Sequence, residues 1–181
     1  MKNPIVVVSL VLLLFFTFGC QNKAEKAELE KFRAQAAVET QNKAVVRQFY
    51  EAIDAQNFDR LKELLAPDSI MHARPGEPGE EAPANVAFDM IRMFYKAFPD
   101  YHHTIEDVIA EGDKVGIRIL QQATHKAEFQ GIPASGNPIK YYQISFLRIV
   151  DGKIKDIWLL EDDLGLFMQL GLELKPKDVK K

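Results

Sequence analysis

The chain has 181 residues, 47% of them hydrophobic, enough for one domain with a sizeable core. Its formal net charge is −3, with no long basic run before the last few residues. That argues against nucleic-acid binding, because neutralising phosphates needs a basic patch. Cys20 is the only cysteine, which rules out an intrachain disulfide.

Lys2 precedes an apolar run over residues 5–18, which ends at Gly19-Cys20. The run falls short of the roughly 20 residues a membrane helix needs and suits the core of a signal peptide. Its Gly-Cys end resembles a bacterial lipoprotein cleavage site, although Thr17 and Phe18 stand where leucine and a small residue are usual. The expectation is a signal segment over 1–19 and a lipidated N-terminal Cys20. The protein would then be exported and anchored to a membrane of the bacterial cell envelope by several acyl chains, since one alone binds marginally. The alternative is an uncleaved N-terminal anchor. Residues 21–40, rich in Ala, Glu, Lys and Gln, read as a solvated helical tether. The folded domain then spans 41–174, and 175–181 is a basic tail.

From Asn42 onward, Val45, Val46, Phe49, Tyr50 and Ile53 recur at helical spacing. Asp59 is placed to cap a second helix over 60–65, and Pro67 ends it. A short strand over 69–72 leads into a Pro- and Gly-rich loop over 74–83. A third helix over 84–98 carries Met90, Met93, Phe94 and Ala97 as its stripe, and Pro99 stops it. Strands follow over 101–110, 115–126, 138–150 and 153–161, with turns at Gly112-Asp113 and Asp151-Gly152. Asp162 or Asp163 opens a last helix through Leu170, capped by Gly171. Helices followed by antiparallel strands make an α+β fold, a curved sheet wrapped around three N-terminal helices.

The last strand carries the first functional candidate. Ile154, Asp156, Trp158, Leu160 and Asp162 recur at period two and share one face of an unbroken strand. Asp162 is then either a surface residue capping the last helix or a carboxylate in an apolar pocket, where desolvation makes a general acid or base. His125 and His72 are its candidate partners, because an imidazole can shuttle protons and orient a carbonyl; otherwise they are rim and loop histidines. Along 115–125, Arg118 and His125 fall on opposite faces, and either could face a cavity. His103 shares a face with Tyr101 and Ile105. Phe94, Tyr142, Phe146 and Trp158 are core or ligand wall. No histidine pair has a metal-ligand spacing, and there is no phosphate loop or nucleophile elbow, so neither metal nor cofactor is expected.

Several motifs together resemble a known family. They are Phe98-Pro99-Asp100, the run Glu111-Gly112-Asp113-Lys114-Val115 with Arg118, the pair Thr124-His125, Gly131-Ile132-Pro133 with Gly136, and Trp158 followed four residues on by Asp162. Their order and spacing resemble the SnoaL-like polyketide cyclases, or ester cyclases, of the nuclear-transport-factor-2-like superfamily, over about 42–171. The resemblance implies an α+β barrel with a cone-shaped cavity. It implies cofactor-free ring closure by intramolecular aldol chemistry on a small apolar carbonyl compound, with Asp162 as acid/base, supported by His125 and His72. Candidate substrate contacts are Trp158, Arg118, Phe94, Tyr142 and Phe146, and relatives dimerise through the outer sheet face, so a homodimer is expected. Two residues depart from the family pattern, Ala123 in place of glycine and Glu161 in place of an apolar residue. The competing reading is a membrane-anchored pocket that binds a hydrophobic molecule without turnover, since a fold does not decide function.

Overall fold

A computed structural model describes residues 4–72, 81–173 and 175, with side chains from residue 23 onward. Of the expected signal segment only the backbone from residue 4 is described, and its side chains, the Cys20 side chain and most of the basic tail lie outside the described residues. Among the described residues no helix is long and apolar enough to cross a membrane.

Helix α1 (Pro4–Asp54) is continuous, so the expected tether and first domain helix are one element. The chain divides into two compact units, 1–38 and 39–181. In the first, every described side chain is exposed, as the thin apolar stripe anticipates. In the second, Glu39 and Asn42 hold the turn at Gly112. Gly112 N–H donates to Glu39 Oε1 at 3.1 Å, and Asn42 Nδ2 donates to Gly112 O at 3.0 Å.

Helix α2 (Phe58–Leu64) is capped by Asn57, whose side chain accepts from Arg60 N–H at 3.0 Å, rather than by Asp59. Asp59 sits in the first turn, where its charge suits the helix dipole. Strands β1 (Leu65–His72) and β2 (Glu81–Pro83) follow. A single 3-10 turn then leads into α3 (Ala87–Ala97). The long strands are β3 (His102–Glu111), β4 (Lys114–Thr124), β5 (Pro138–Val150) and β6 (Lys153–Glu161), and α4 (Asp163–Gln169) closes the described domain. Asp151 and Gly152 have φ of 51° and 73°, both left-handed, as the two-residue hairpin of β5 and β6 requires.

The six strands form one curved sheet in the order β2-β1-β6-β5-β4-β3. Every pairing is antiparallel except β1 with β6. The helices cover one face. Val46, Phe49 and Ile53 of α1, with Leu61 of α2 and Phe88 of α3, are buried in a core with Ile117, Ile119 and Leu147 of the sheet. Truncating fully buried Leu61 to alanine should cost about 2–5 kcal/mol. A second cluster of Phe98, Phe129, Tyr141, Leu166 and Leu170 lies beside α4.

The expected single face of β6 breaks in the middle. Arg148 pairs with Asp156, yet its neighbour Ile149 pairs with Ile154, so Lys155 is an extra residue in β6. Such a bulge reverses the in–out alternation beyond it. Ile154 is buried on the inner face, and past the bulge Ile157, Leu159 and Glu161 turn inward. Trp158 and Leu160 therefore point outward, at 37% and 60% exposure.

Candidate active site

Against the inner face of the sheet lies a cavity of about 150 Å³. Phe49 and Ile53 of α1, Ile91 and Phe94 of α3, and Ile157 and Leu159 of β6 supply most of its wall. Its polar lining is Tyr50, Tyr95, Tyr101, His103, Gln143 and Glu161.

Asp54, at the end of α1, holds His103 near the start of β3. Its carboxylate accepts from His103 Nδ1 at 2.5 Å, from the His103 backbone N–H at 3.2 Å and from the Tyr95 hydroxyl at 3.3 Å. His102 Nδ1 lies 2.7 Å from the other carboxylate oxygen. Burial alone would raise the Asp54 carboxyl. The hydrogen bonds and charge of His103, with that of His102, outweigh it and hold Asp54 below the usual carboxylate value. An ionised carboxylate only accepts, so His103 Nδ1 carries a hydrogen, and in the neutral imidazole Nε2 holds the lone pair. The His103 ring sits against Tyr50 and Tyr101, with centroids at 5.3 and 4.8 Å.

Glu161 joins a buried polar network. Gln121 Nε2 donates to Glu161 Oε1 at 3.4 Å and to Gln143 Oε1. Gln143 Nε2 donates to the Tyr50 hydroxyl at 2.9 Å and to Ser145 Oγ at 2.6 Å. Burial pushes the Tyr50 hydroxyl up to about 12, and burial with the nearby Glu161 charge raises Tyr101 and Tyr141 as well. Burial and the Asp54 charge raise Tyr95. These phenols stay protonated and serve as hydrogen-bond donors. Among the described lining residues, the side chains able to take up a proton are then His103, as the neutral imidazole, and Glu161.

Of the residues singled out in the sequence, Phe94 lines this cavity. Asp162 does not. It is exposed, and its Oδ1 accepts from Gly165 N–H at 2.9 Å as the N-cap of α4. The helix-capping alternative describes its geometry, and the bulge at Lys155 is the reason. Trp158 stacks on His72 on the outer face, with centroids 4.5 Å apart and planes at 5°. His72 pairs with Trp158 across β1 and β6, while the neighbouring pair Met71 and Ile157 lines the cavity. His72 Nε2 lies 2.9 Å from Asp156 Oδ1, and Arg148 bridges the same carboxylate.

The choice between the two faces of β4 is settled by the helices, which cover Val115, Ile117, Ile119 and Gln121. Arg118 points outward, bonded to Asp107 at 2.7 Å and to Glu106, with its guanidinium 5.3 Å from the Tyr142 ring centre. Tyr142 and Phe146 are half-exposed on that outer face. His125 is fully buried but lies beyond the end of β4, stacked 5.2 Å from Phe98 rather than lining the cavity. Its Nδ1 accepts from Ser135 N–H at 3.2 Å, so it organises the loop it starts.

The sequence reading passed over Asp54, Glu161 and the tyrosine donors. One signal was available: Gln121 and Gln143 interrupt the apolar inward rows of β4 and β5, and a buried amide at such a place marks a polar end to a cavity. Among the described residues no group of three or more His, Cys, Asp or Glu side chains is arranged to hold a metal ion.

Residues 43–170 match the profile of the SnoaL-like polyketide cyclases. The chain belongs to that family. It is 31% identical over 131 residues to the aklanonic acid methyl ester cyclase DnrD of Streptomyces peucetius, covering 70% of this chain and 88% of that one. It is 32% identical over 133 residues to the corresponding cyclase DauD of Streptomyces sp. strain C5, covering 70% and 80%. Among solved structures, AclR of Streptomyces galilaeus, provisionally assigned as a hydroxylase, superposes with a TM-score of 0.67 at 26% identity, over 74% of this chain and 97% of that one. IdmH of Streptomyces antibioticus, provisionally assigned as a polyketide cyclase, gives 0.66 at 28% identity, over 72% and 99%. The α+β architecture of this SnoaL-like chain is thus shared across the family.

Proposed function

We propose that this SnoaL-like protein catalyses cofactor-free proton transfer and ring closure on a small apolar carbonyl compound. The observation that supports it best is His103, held from behind by Asp54, in the wall of an apolar cavity that Glu161 also lines. Asp54 sets the tautomer and orientation of His103, as a carboxylate does for a catalytic imidazole. Nε2 takes the proton from the carbon beside a substrate carbonyl, and the C–H electron pair moves into the enolate. Charge collects on the carbonyl oxygen, where the protonated Tyr101 hydroxyl is placed to donate. The enolate carbon bonds to a second carbonyl carbon of the same molecule, and that oxygen takes up the proton held on His103. The step is balanced without oxidant or reductant. Glu161 accepts a hydrogen bond from a substrate hydroxyl.

The test is solvent deuterium exchange at the α-carbons of phenylacetone, followed by NMR with the full-length protein. Catalysed exchange should fall about a hundredfold or more in His103→Gln, with circular dichroism unchanged. No exchange above the buffer rate with the parent protein would remove the catalytic reading. The mostly aliphatic and aromatic wall favours a second reading, a pocket that holds a hydrophobic molecule without turnover. Displacement of Asp162 from the cavity strengthens it. A ligand retained in native mass spectrometry, with no exchange, would select it.

The Gly19-Cys20 signature supports lipid attachment at Cys20 and a place at a membrane of the cell envelope. Cys20→Ser should abolish acyl-chain labelling and release the protein, and unchanged labelling would defeat that assignment. The exposed outer sheet face supports a homodimer.

A further inference from the structure

The size and charge of the cavity narrow its ligand, on the reading above that this cavity is the working site. Drug-sized ligands occupy pockets of about 300–1,000 Å³. This one has about 150 Å³, the size of an engineered apolar cavity that takes benzene. Its inner walls have little room to retreat, although the exposed Met90 stands at its edge. Phe94 is wedged between Phe98 and Tyr101, with centroids at 5.2 and 5.0 Å, and Phe49 and Ile157 belong to the buried core.

Charge acts in the same direction. Glu161 lines the cavity, and the ionised Asp54 stands directly behind His103. No lysine or arginine is among the described lining residues. The nearby sheet arginines, Arg118 and Arg148, bond to acids on the outer face. A carboxylate entering the cavity would lose its water, meet no lysine or arginine and face like charge, which is costly. A ketone or ester loses little water and can accept from the protonated Tyr101 hydroxyl.

We infer that the cavity takes a neutral carbonyl compound of about one ring with short substituents, on the order of ten non-hydrogen atoms, and excludes carboxylate anions and fused multi-ring compounds.

Three probes separate these claims: phenylacetone, its near-isosteric anion phenylacetate, and the three-ring ketone 9-anthrylacetone. Binding to the full-length protein is read by titration calorimetry and by NMR shifts of the Gln121 and Gln143 side-chain amides. Phenylacetone should saturate and move both amides. Phenylacetate should bind at least about tenfold more weakly at neutral pH, and 9-anthrylacetone should not displace phenylacetone. Equal or tighter binding of the anion, displacement by the three-ring ketone, or amides unmoved by phenylacetone would each overturn the inference. Ala87→Leu, at the cavity-lining start of α3, should weaken phenylacetone about tenfold while leaving the thermal midpoint near the parent's. Unchanged affinity would put the probe elsewhere and overturn the assignment. Selective binding without deuterium exchange removes the catalytic proposal and keeps this one. Catalysed exchange on 9-anthrylacetone does the reverse.

Discussion

The two faces of β4, β5 and β6 each interrupt the usual arrangement, the otherwise apolar inner face with polar groups and the outer face with large apolar ones. On the inner face Gln121, Gln143 and Ser145 are buried, linked by hydrogen bonds and connected to Glu161. On the outer face Tyr142, Ile144, Phe146, Trp158 and Leu160 are 37–60% exposed. A one-sided antiparallel sheet ordinarily buries apolar residues and exposes polar ones. Polar groups kept inside, where desolvation is expensive, point to chemistry in the cavity. Large apolar groups kept outside point to a covering partner.

The strongest way to break this contrast is to insert one alanine between Asp156 and Ile157, just past the bulge. Strict alternation would then swing Trp158 and Leu160 inward and Ile157, Leu159 and Glu161 outward. Each buried aliphatic side chain lost costs about 2–5 kcal/mol against a typical total of about 5–15 kcal/mol. We expect no cooperative thermal transition by circular dichroism. A variant that melts like the parent would show that alternation past the bulge does not sort the faces.

Asp54→Asn probes the inner face alone. An amide favours the wrong His103 tautomer, so exchange on phenylacetone should fall on the order of a hundredfold. Retained exchange would leave the pair a structural contact.

Phe146→Asp probes the outer face. At micromolar concentration it should shift the sedimentation coefficient from dimer to monomer, with exchange per chain unchanged. A parent protein that is already monomeric would end the homodimer proposal.

Asp54 also makes stability depend on pH. Its folded-state value lies below the usual 3.8. Its contribution is therefore fully present above about pH 4 and is lost as pH falls through the lower folded value. Parent and Asp54→Asn melting curves should converge on acidification within that window, and parallel curves would contradict the shift.

The smallest effect belongs to Asp162. Replacing this N-cap with alanine should cost about 1 kcal/mol, and with asparagine only a few tenths. Exchange activity should survive both. A hundredfold loss in a folded Asp162→Asn protein would restore it to the active site.

Much of the fold was legible in the sequence because its signals are local. The apolar spacing of α3, the Asp-Gly turn and the bounds Pro138–Val150 and Lys153–Glu161 each depend on a few neighbouring residues. Even the capping alternative for Asp162 was written in the short acidic segment before α4. Tertiary structure alone decided the rest. Alternation separates a strand's residues into two sets, but a set becomes interior only when helices cover it, as α1 and α3 did for the Gln121 side of β4. A bulge exists only against a partner strand, so the reversal at Lys155 that brings in Glu161 and turns out Trp158 is absent from the pattern of β6 itself. Asp54 and His103 are 49 residues apart and meet because the end of α1 is packed against the start of β3, a contact that no local spacing encodes.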